Sequence, residues 1–157
     1  MIVAMGLQIT SAEVADFHQV LADHPRYWGD RDLRSLHLVA LVHEFGSTCL
    51  VARADDGIRG YVFGFVTPGG TGYVHLIATR DDSRGTGLGR RLYTAFAEAA
   101  ERDGARHLKA ITSIQNTGSI AFHRSLGFDT EIVEDYNGPG RSVAVFHRAL
   151  PLNVSSP

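Results

Sequence analysis

The chain has 157 residues, enough for one ordinary domain whose core closes without a disulfide or a metal. Its 44% apolar and 20% charged residues exclude a disordered chain, and a net charge of −2 without a basic tail argues against a nucleic-acid partner. No apolar run approaches the ~18 residues that span a bilayer, and Met1–Leu7 lacks the basic start and long apolar stretch of a signal peptide, so a single cytoplasmic domain over 1–157 is expected.

A short strand at Leu7–Ile9 opens the chain. Thr10 or Ser11 can cap the helix that follows, in which Val14, Phe17 and Leu21 share one face. His24-Pro25 ends that helix, and the aromatic loop Tyr27-Trp28-Gly29 comes next. A second helix is expected after Asp30 or Asp32, with Leu33, Leu36 and Ala40 inward and Gly46 as its stop. Residues 48–54 and 58–66 read as a hairpin about Asp55-Asp56-Gly57. Tyr61–Val66 is apolar on both faces and belongs at the centre of a sheet. Cys49, the lone cysteine, lies in the first strand of this hairpin and reads as a small buried thiol.

Pro68-Gly69-Gly70 turns the chain into a fourth strand at 72–79. A helix over 87–103 buries Leu88, Leu92, Ala95, Phe96 and Ala99 and stops at Gly104. Strand 106–112, helix 117–126 and strands 129–136 and 142–149 complete the order βααβββαβαββ. This is an α/β (α+β) domain with a mixed sheet of about seven strands and four helices. The turn Asp135–Arg141 reads as a hairpin loop, from which Asp135 or Tyr136 can also reach a ligand.

Two segments carry chemistry. In Arg84-Gly85-Thr86-Gly87-Leu88-Gly89-Arg90-Arg91 the alternating glycines let backbone approach a ligand, and the loop and first helical N–H groups form a cradle for an anion. Its Gly-x-Gly-x-Gly spacing is not the dinucleotide fingerprint, and it lacks the Gly-Lys-Ser/Thr of a Walker loop. Alone, it also reads as a plain helix-start turn. The second segment, Asn116-Thr117-Gly118-Ser119-Ile120-Ala121-Phe122-His123-Arg124-Ser125-Leu126-Gly127-Phe128, runs from an Asn cap to a Gly-Phe stop.

Taken together, Arg-x-x-Gly-x-Gly and Asn-x-x-Ser-x-x-Phe-His-x-x-x-Gly-Phe, some thirty residues apart, resemble the GNAT superfamily of acyl-CoA-dependent N-acetyltransferases. The resemblance implies a mostly antiparallel twisted sheet, splayed between strands four and five, with acetyl-CoA in the gap. The pantetheine arm would pair with the backbone of Ile77, Ala78 and Thr79. The pyrophosphate would sit on the N–H groups of Gly85, Thr86, Gly87, Leu88, Gly89 and Arg90, beside Arg84 and Phe122. Asn116 would hydrogen-bond near the pantetheine or the thioester end.

The family's usual tyrosine acid is replaced here by His123, and the early strand-four glutamate of some relatives by Tyr73. An imidazole at 123 can protonate a departing thiolate or merely pack beside the cofactor. Amines such as lysine have a pKa near ~10.4, so attack on the thioester is helped by a base. His75, on Tyr73's face of the strand, is the candidate, its alternative being a structural strand histidine. Tyr27, Trp28, Tyr61 and Tyr73 are candidate walls of the acceptor pocket, and Trp28 can equally plug the core. The remaining histidines show no metal-ligand spacing, so no metal is expected.

The expected partner is thus a primary amine on a small molecule or peptide. A protein lysine or N-terminal acetyltransferase, or a CoA-binding sensor without catalysis, would retain the same loop. A homodimer is implied by resemblance alone.

Overall fold

The computed structural model describes residues 6–153. Met1–Met5, most of the start judged unlike a signal peptide, and the last four positions of the expected domain lie outside the described residues. Seven strands, β1 (Gln8–Ser11), β2 (Cys49–Ala54), β3 (Gly57–Val66), β4 (Thr71–Thr79), β5 (His107–Ser113), β6 (Asp129–Val133) and β7 (Val143–Ala149), form one sheet in the order β1-β2-β3-β4-β5-β7-β6. The helices are α1 (Val14–Ala22), α2 (His24–Trp28), α3 (Val39–Glu44), α4 (Leu88–Arg102) and α5 (Thr117–Ser125).

Five helices replace the four expected, and the difference lies between residues 23 and 44. Pro25 does not break the chain there. It sits in the first turn of a new short helix, where its fixed φ suits the geometry and its missing N–H costs nothing. The expected helix from Asp30 or Asp32 is largely absent: residues 31–38 run irregularly through one 3₁₀ turn, and Leu36 and Ala40 are exposed instead of inward. Two carbonyls that such a helix would use, on Leu33 and Leu36, accept instead from His37 Nδ1 (2.8 Å) and His75 Nε2 (2.7 Å).

The sheet separates two apolar layers. On one face α4 packs Leu92, Tyr93, Phe96 and Ala100 against Val62, Val74, Leu108 and Phe146. On the other, Phe17, Val20, Tyr27 and Leu41 of α1–α3 cover Cys49, Val51, Tyr61, Phe63 and Leu76. The apolar run of β3 feeds both layers, as its central place requires. Cys49 is fully buried, and burial raises its thiol to about 11, so it is inert packing. Gly64 marks the closest approach of α4 to the sheet: a Cβ there would lie 2.2 Å from the Tyr73 carbonyl oxygen and 2.7 Å from the Phe96 ring.

Two irregularities in β4 shape the site. Phe63 pairs with Leu76 but Gly64 pairs with Val74, so His75 is the extra residue of a β-bulge. As a result Tyr73, His75, Leu76 and Ala78 share the α1–α3 side, while Val74 and Ile77 face α4. Beside it, the parallel ladder to β5 holds only from Thr71↔His107 to Val74↔Ala110. From His75 onward β4 has no strand on that side, which is the expected splay between strands four and five.

Candidate active site

The open end of β4 leads directly into the glycine segment. Gly85 and Gly87 have φ of +76° and +84°, and nothing lies within 4 Å of a Cβ built at either, so these glycines provide left-handed backbone and free space. Gly87 precedes α4 without a side-chain cap, leaving the first N–H groups of α4 without the partner a capping side chain would give. Gly89 is short of a side chain for another reason: its Cβ would press on the Phe122 ring at 3.1 Å. Loop, helix dipole and N–H groups together suit a pyrophosphate, and the exposed edge of β4 suits an extended amide-bearing arm.

Charged residues brace this cradle from below. Arg80 is 5% exposed and donates from Nε to Asp82 (2.7 Å) and from Nη2 to Asp56 in the β2–β3 turn (2.8 Å). Those carboxylates hold its guanidinium far above its ordinary pKa. Arg59 adds a bond to Ser83 Oγ (3.2 Å), and Thr86 Oγ1 donates to the Ser83 carbonyl (2.5 Å). Arg84 donates to the Tyr27 carbonyl at 3.1 Å, tying the loop to α2.

On the acceptor side, His75 protrudes from the bulge. A carbonyl can only accept, so its Nε2 carries the proton donated to Leu36, and Nδ1 keeps a lone pair. Tyr73 stands beside it at 6.4 Å between ring centroids and contacts Phe65 at 5.3 Å. Behind this surface, His37 Nδ1 donates to the Leu33 carbonyl, so its Nε2 accepts from Tyr61 (2.8 Å), whose oxygen accepts from Trp28 Nε1 (2.7 Å). Burial holds His37 below the usual imidazole pKa, in its neutral form. Tyr27, 3% exposed, donates to the Ile58 carbonyl at 2.7 Å, and burial raises its hydroxyl to about 12. Of the four expected pocket walls, Tyr27 and Tyr61 are thus buried within the α1–α3 layer, whereas Trp28 and Tyr73 are half-buried.

His123 is not placed to act as an acid. It is 3% exposed and stacks on Phe146 at 4.0 Å; Nδ1 donates to the Ser119 carbonyl (2.8 Å) and Nε2 accepts from Tyr93 (2.6 Å). Burial lowers its pKa to about 4, so it holds no proton to give at neutral pH. Both ring nitrogens are bonded within the core, which supports the packing alternative at position 123 over the acid role. Asn116 serves as the α5 cap: its Oδ1 accepts from Ser119 N–H (3.1 Å) and its Nδ2 donates to Thr112 Oγ1 (3.2 Å).

Sequence reasoning missed His37, Tyr93 and Arg80, because each is defined by a partner distant in the chain. Among the described residues, no group of three His, Cys, Asp or Glu could hold a metal, and no helix is long and apolar enough to cross a membrane.

The family model of the acetyltransferase (GNAT) family matches residues 12–128, from the start of α1 through the Gly-Phe stop after α5. The chain belongs to the GNAT acetyltransferase family. An L-methionine sulfoximine/L-methionine sulfone acetyltransferase of Pseudomonas aeruginosa is 42% identical over 55 residues, 35% of this chain and 32% of that one. An L-2,4-diaminobutyric acid acetyltransferase of Marinococcus halophilus is 31% identical over 98 residues, 60% of this chain and 57% of its own. These matches thus span between about a third and just over half of those relatives' length. The GNAT fold itself is seen in a phosphinothricin acetyltransferase of Sinorhizobium meliloti in complex with acetyl-CoA. Its TM-score is 0.70 at 19% identity, covering 93% of this chain and 89% of that one.

Proposed function

We propose that this GNAT protein transfers the acetyl group of acetyl-CoA directly to the primary amine of a small amino acid or a close analogue. The observation that carries the reading is the alignment of an unpaired β4 edge, from His75 to Thr79, with the uncapped start of α4. The backbone of Ile77, Ala78 and Thr79 pairs with the pantetheine arm, and the N–H groups of residues 85–90 hold the pyrophosphate over Phe122. Bound acetyl-CoA supplies the activated acetyl thioester. A neutral amine forms the new N–C bond as the C–S bond breaks, giving an N-acetyl amide and CoA.

His75 Nδ1 is the proton acceptor for the attacking amine, held in that tautomer by its bond to Leu36. A backbone N–H at the bulge stabilises the oxyanion. Departure needs little help from a protein acid, since a thiolate whose conjugate acid has a reference pKa near ~8.5 is a far better leaving group than an amine, and solvent protonates it afterwards. The choice of a small acceptor is supported by two matched relatives, named for amino-acid substrates.

Calorimetric titration with acetyl-CoA tests the donor site. Wild type is expected to bind one equivalent, and Gly87→Glu, which forces a side chain into left-handed backbone and an anion onto the cradle, to lose binding. Thiol release is then read with a panel of amino acids, with a peptide and without acceptor. Failure of wild type to bind overturns the proposal; binding without release on any amine replaces it with the sensor reading, and release on the peptide alone with a peptide acetyltransferase.

A further inference from the structure

The sheet carries one cation unlike the others. Fourteen of the chain's fifteen basic residues are arginine, and Lys109 is its sole lysine. Lys109 lies on β5, paired in register with Tyr73 of β4 and His147 of β7. Its strand neighbours Leu108 and Ala110 pack under α4, so alternation points Lys109 to the opposite face, the one that bears Tyr73 and His75. His75 is two residues along β4 from Lys109's partner. Strand spacing therefore puts the two Cα atoms on the order of 8 Å apart across the mouth of the splay.

The ammonium is half-buried over the Tyr136 ring, 5.9 Å from its centroid. Among the described residues no carboxylate lies within 4.0 Å of it: Asp129, the nearest acid of that face in register, is separated from it by His147, which sits by Glu131 at 3.6 Å. A cavity of about 330 Å³, lined in part by Lys109, Thr71, His107, His147 and the carboxylate Asp129, opens along the same face. A cation braced by an aromatic ring, without an ion-pair partner among the described residues and one strand from the proposed base, is placed to read a substrate anion.

We infer that Lys109 binds the carboxylate of the acceptor, and so makes this enzyme select amino acids over plain amines. The inference rests on the acetyl-transfer reading above and adds to it the residue that recognises the acceptor. The carboxylate lies between Lys109 and the Tyr136 edge of the site, and the amine points toward His75 Nδ1. Lysine suits this task as a compact point charge reaching a carboxylate from one side, where a guanidinium would prefer a planar two-pronged grip.

The test compares acceptors that differ only in the carboxylate: L-2,4-diaminobutyrate against 1,3-diaminopropane, and L-methionine sulfone against 3-(methylsulfonyl)propylamine. Turnover is followed by thiol release for wild type, Lys109→Met and Lys109→Arg, with acetyl-CoA affinity and thermal melting as controls for folding. Expected are a wild-type preference for the amino acids and, in Lys109→Met, a KM for them raised about 10–100-fold, the loss of one charge-assisted bond. In that variant kcat stays within a few-fold, the plain amines are unaffected, acetyl-CoA binding is unchanged, and Lys109→Arg restores part of the loss. Equal wild-type use of both members of each pair overturns the inference while leaving acetyl transfer intact, as does an equal loss on both in Lys109→Met. Absence of acetyl-CoA binding, or of turnover on any amine, overturns the transfer reading and the inference with it.

Discussion

His123 stands where the family resemblance implies a tyrosine, and its surroundings are those of a core residue. The imidazole is enclosed by Tyr93, Phe122, Phe128 and Phe146 and is neutral, with both nitrogens bonded. His123→Phe is therefore expected to lower stability by about 1–3 kcal/mol, chiefly because the buried Tyr93 hydroxyl loses its partner. Its kcat should stay near wild type; denaturant unfolding and turnover read the two effects separately, and a large kcat loss at preserved stability would restore the acid role. The same group sets an acid limit. Its folded pKa of about 4 lies below the unfolded value near ~6.5, so the unfolded chain takes up a proton first. The associated stability is fully present above pH ~6.5 and is lost as pH falls toward 4, to the extent of about 3 kcal/mol. His24 and His37, both lowered by burial, act with the same sign, so the unfolding free energy should fall across that window in wild type and fall less in His123→Phe.

At the scale of elements, β4 and its two neighbours do the positioning. Gly64 sits opposite the bulge with no room for a methyl group, so Gly64→Ala is expected to cost several kcal/mol, on the order of an overpacked core site, and to disturb the His75 backbone as well. Melting temperature checks the first effect and the KM of the acceptor the second. Arg80→Met, which unpins the β2–β3 turn from the loop before α4, should weaken acetyl-CoA binding several-fold, about 1–2 kcal/mol, with kcat little changed, as titration and steady-state rates can show. The glycine loop was legible from sequence because left-handed backbone is a local demand that Gly85 and Gly87 answer themselves. The 23–44 region was not, since Leu33, Leu36 and Ala40 imitate a helical period while His37 within it and His75 from β4 claim the carbonyls. His75 was legible as a candidate through its strand face, yet its tautomer depends on Leu36, thirty-nine residues away. Lys109 gave no motif at all, because a lysine in a strand carries meaning only once its neighbours across the sheet are known.

For the whole molecule, the sheet is two partial sheets, β1–β4 and β5–β7–β6, joined by four parallel residue pairs and by α4 packed across both. A ligand that pairs with β4 beyond Val74 extends this junction. Hydrogen exchange is accordingly expected to slow at Ile77–Thr79 and at Leu88–Arg90 on addition of acetyl-CoA, with the amides of edge strand β6 unchanged. With free acetyl-CoA at about a hundredfold excess over Kd, the protein should gain about 2.7 kcal/mol of stability. There is a cost to this arrangement that selection cannot remove. Each hydrogen bond that would lengthen the short β4–β5 ladder and toughen the empty protein is one the donor needs for itself. A stabilised variant zipped past Val74 would outlast the parent in heat and starve for substrate.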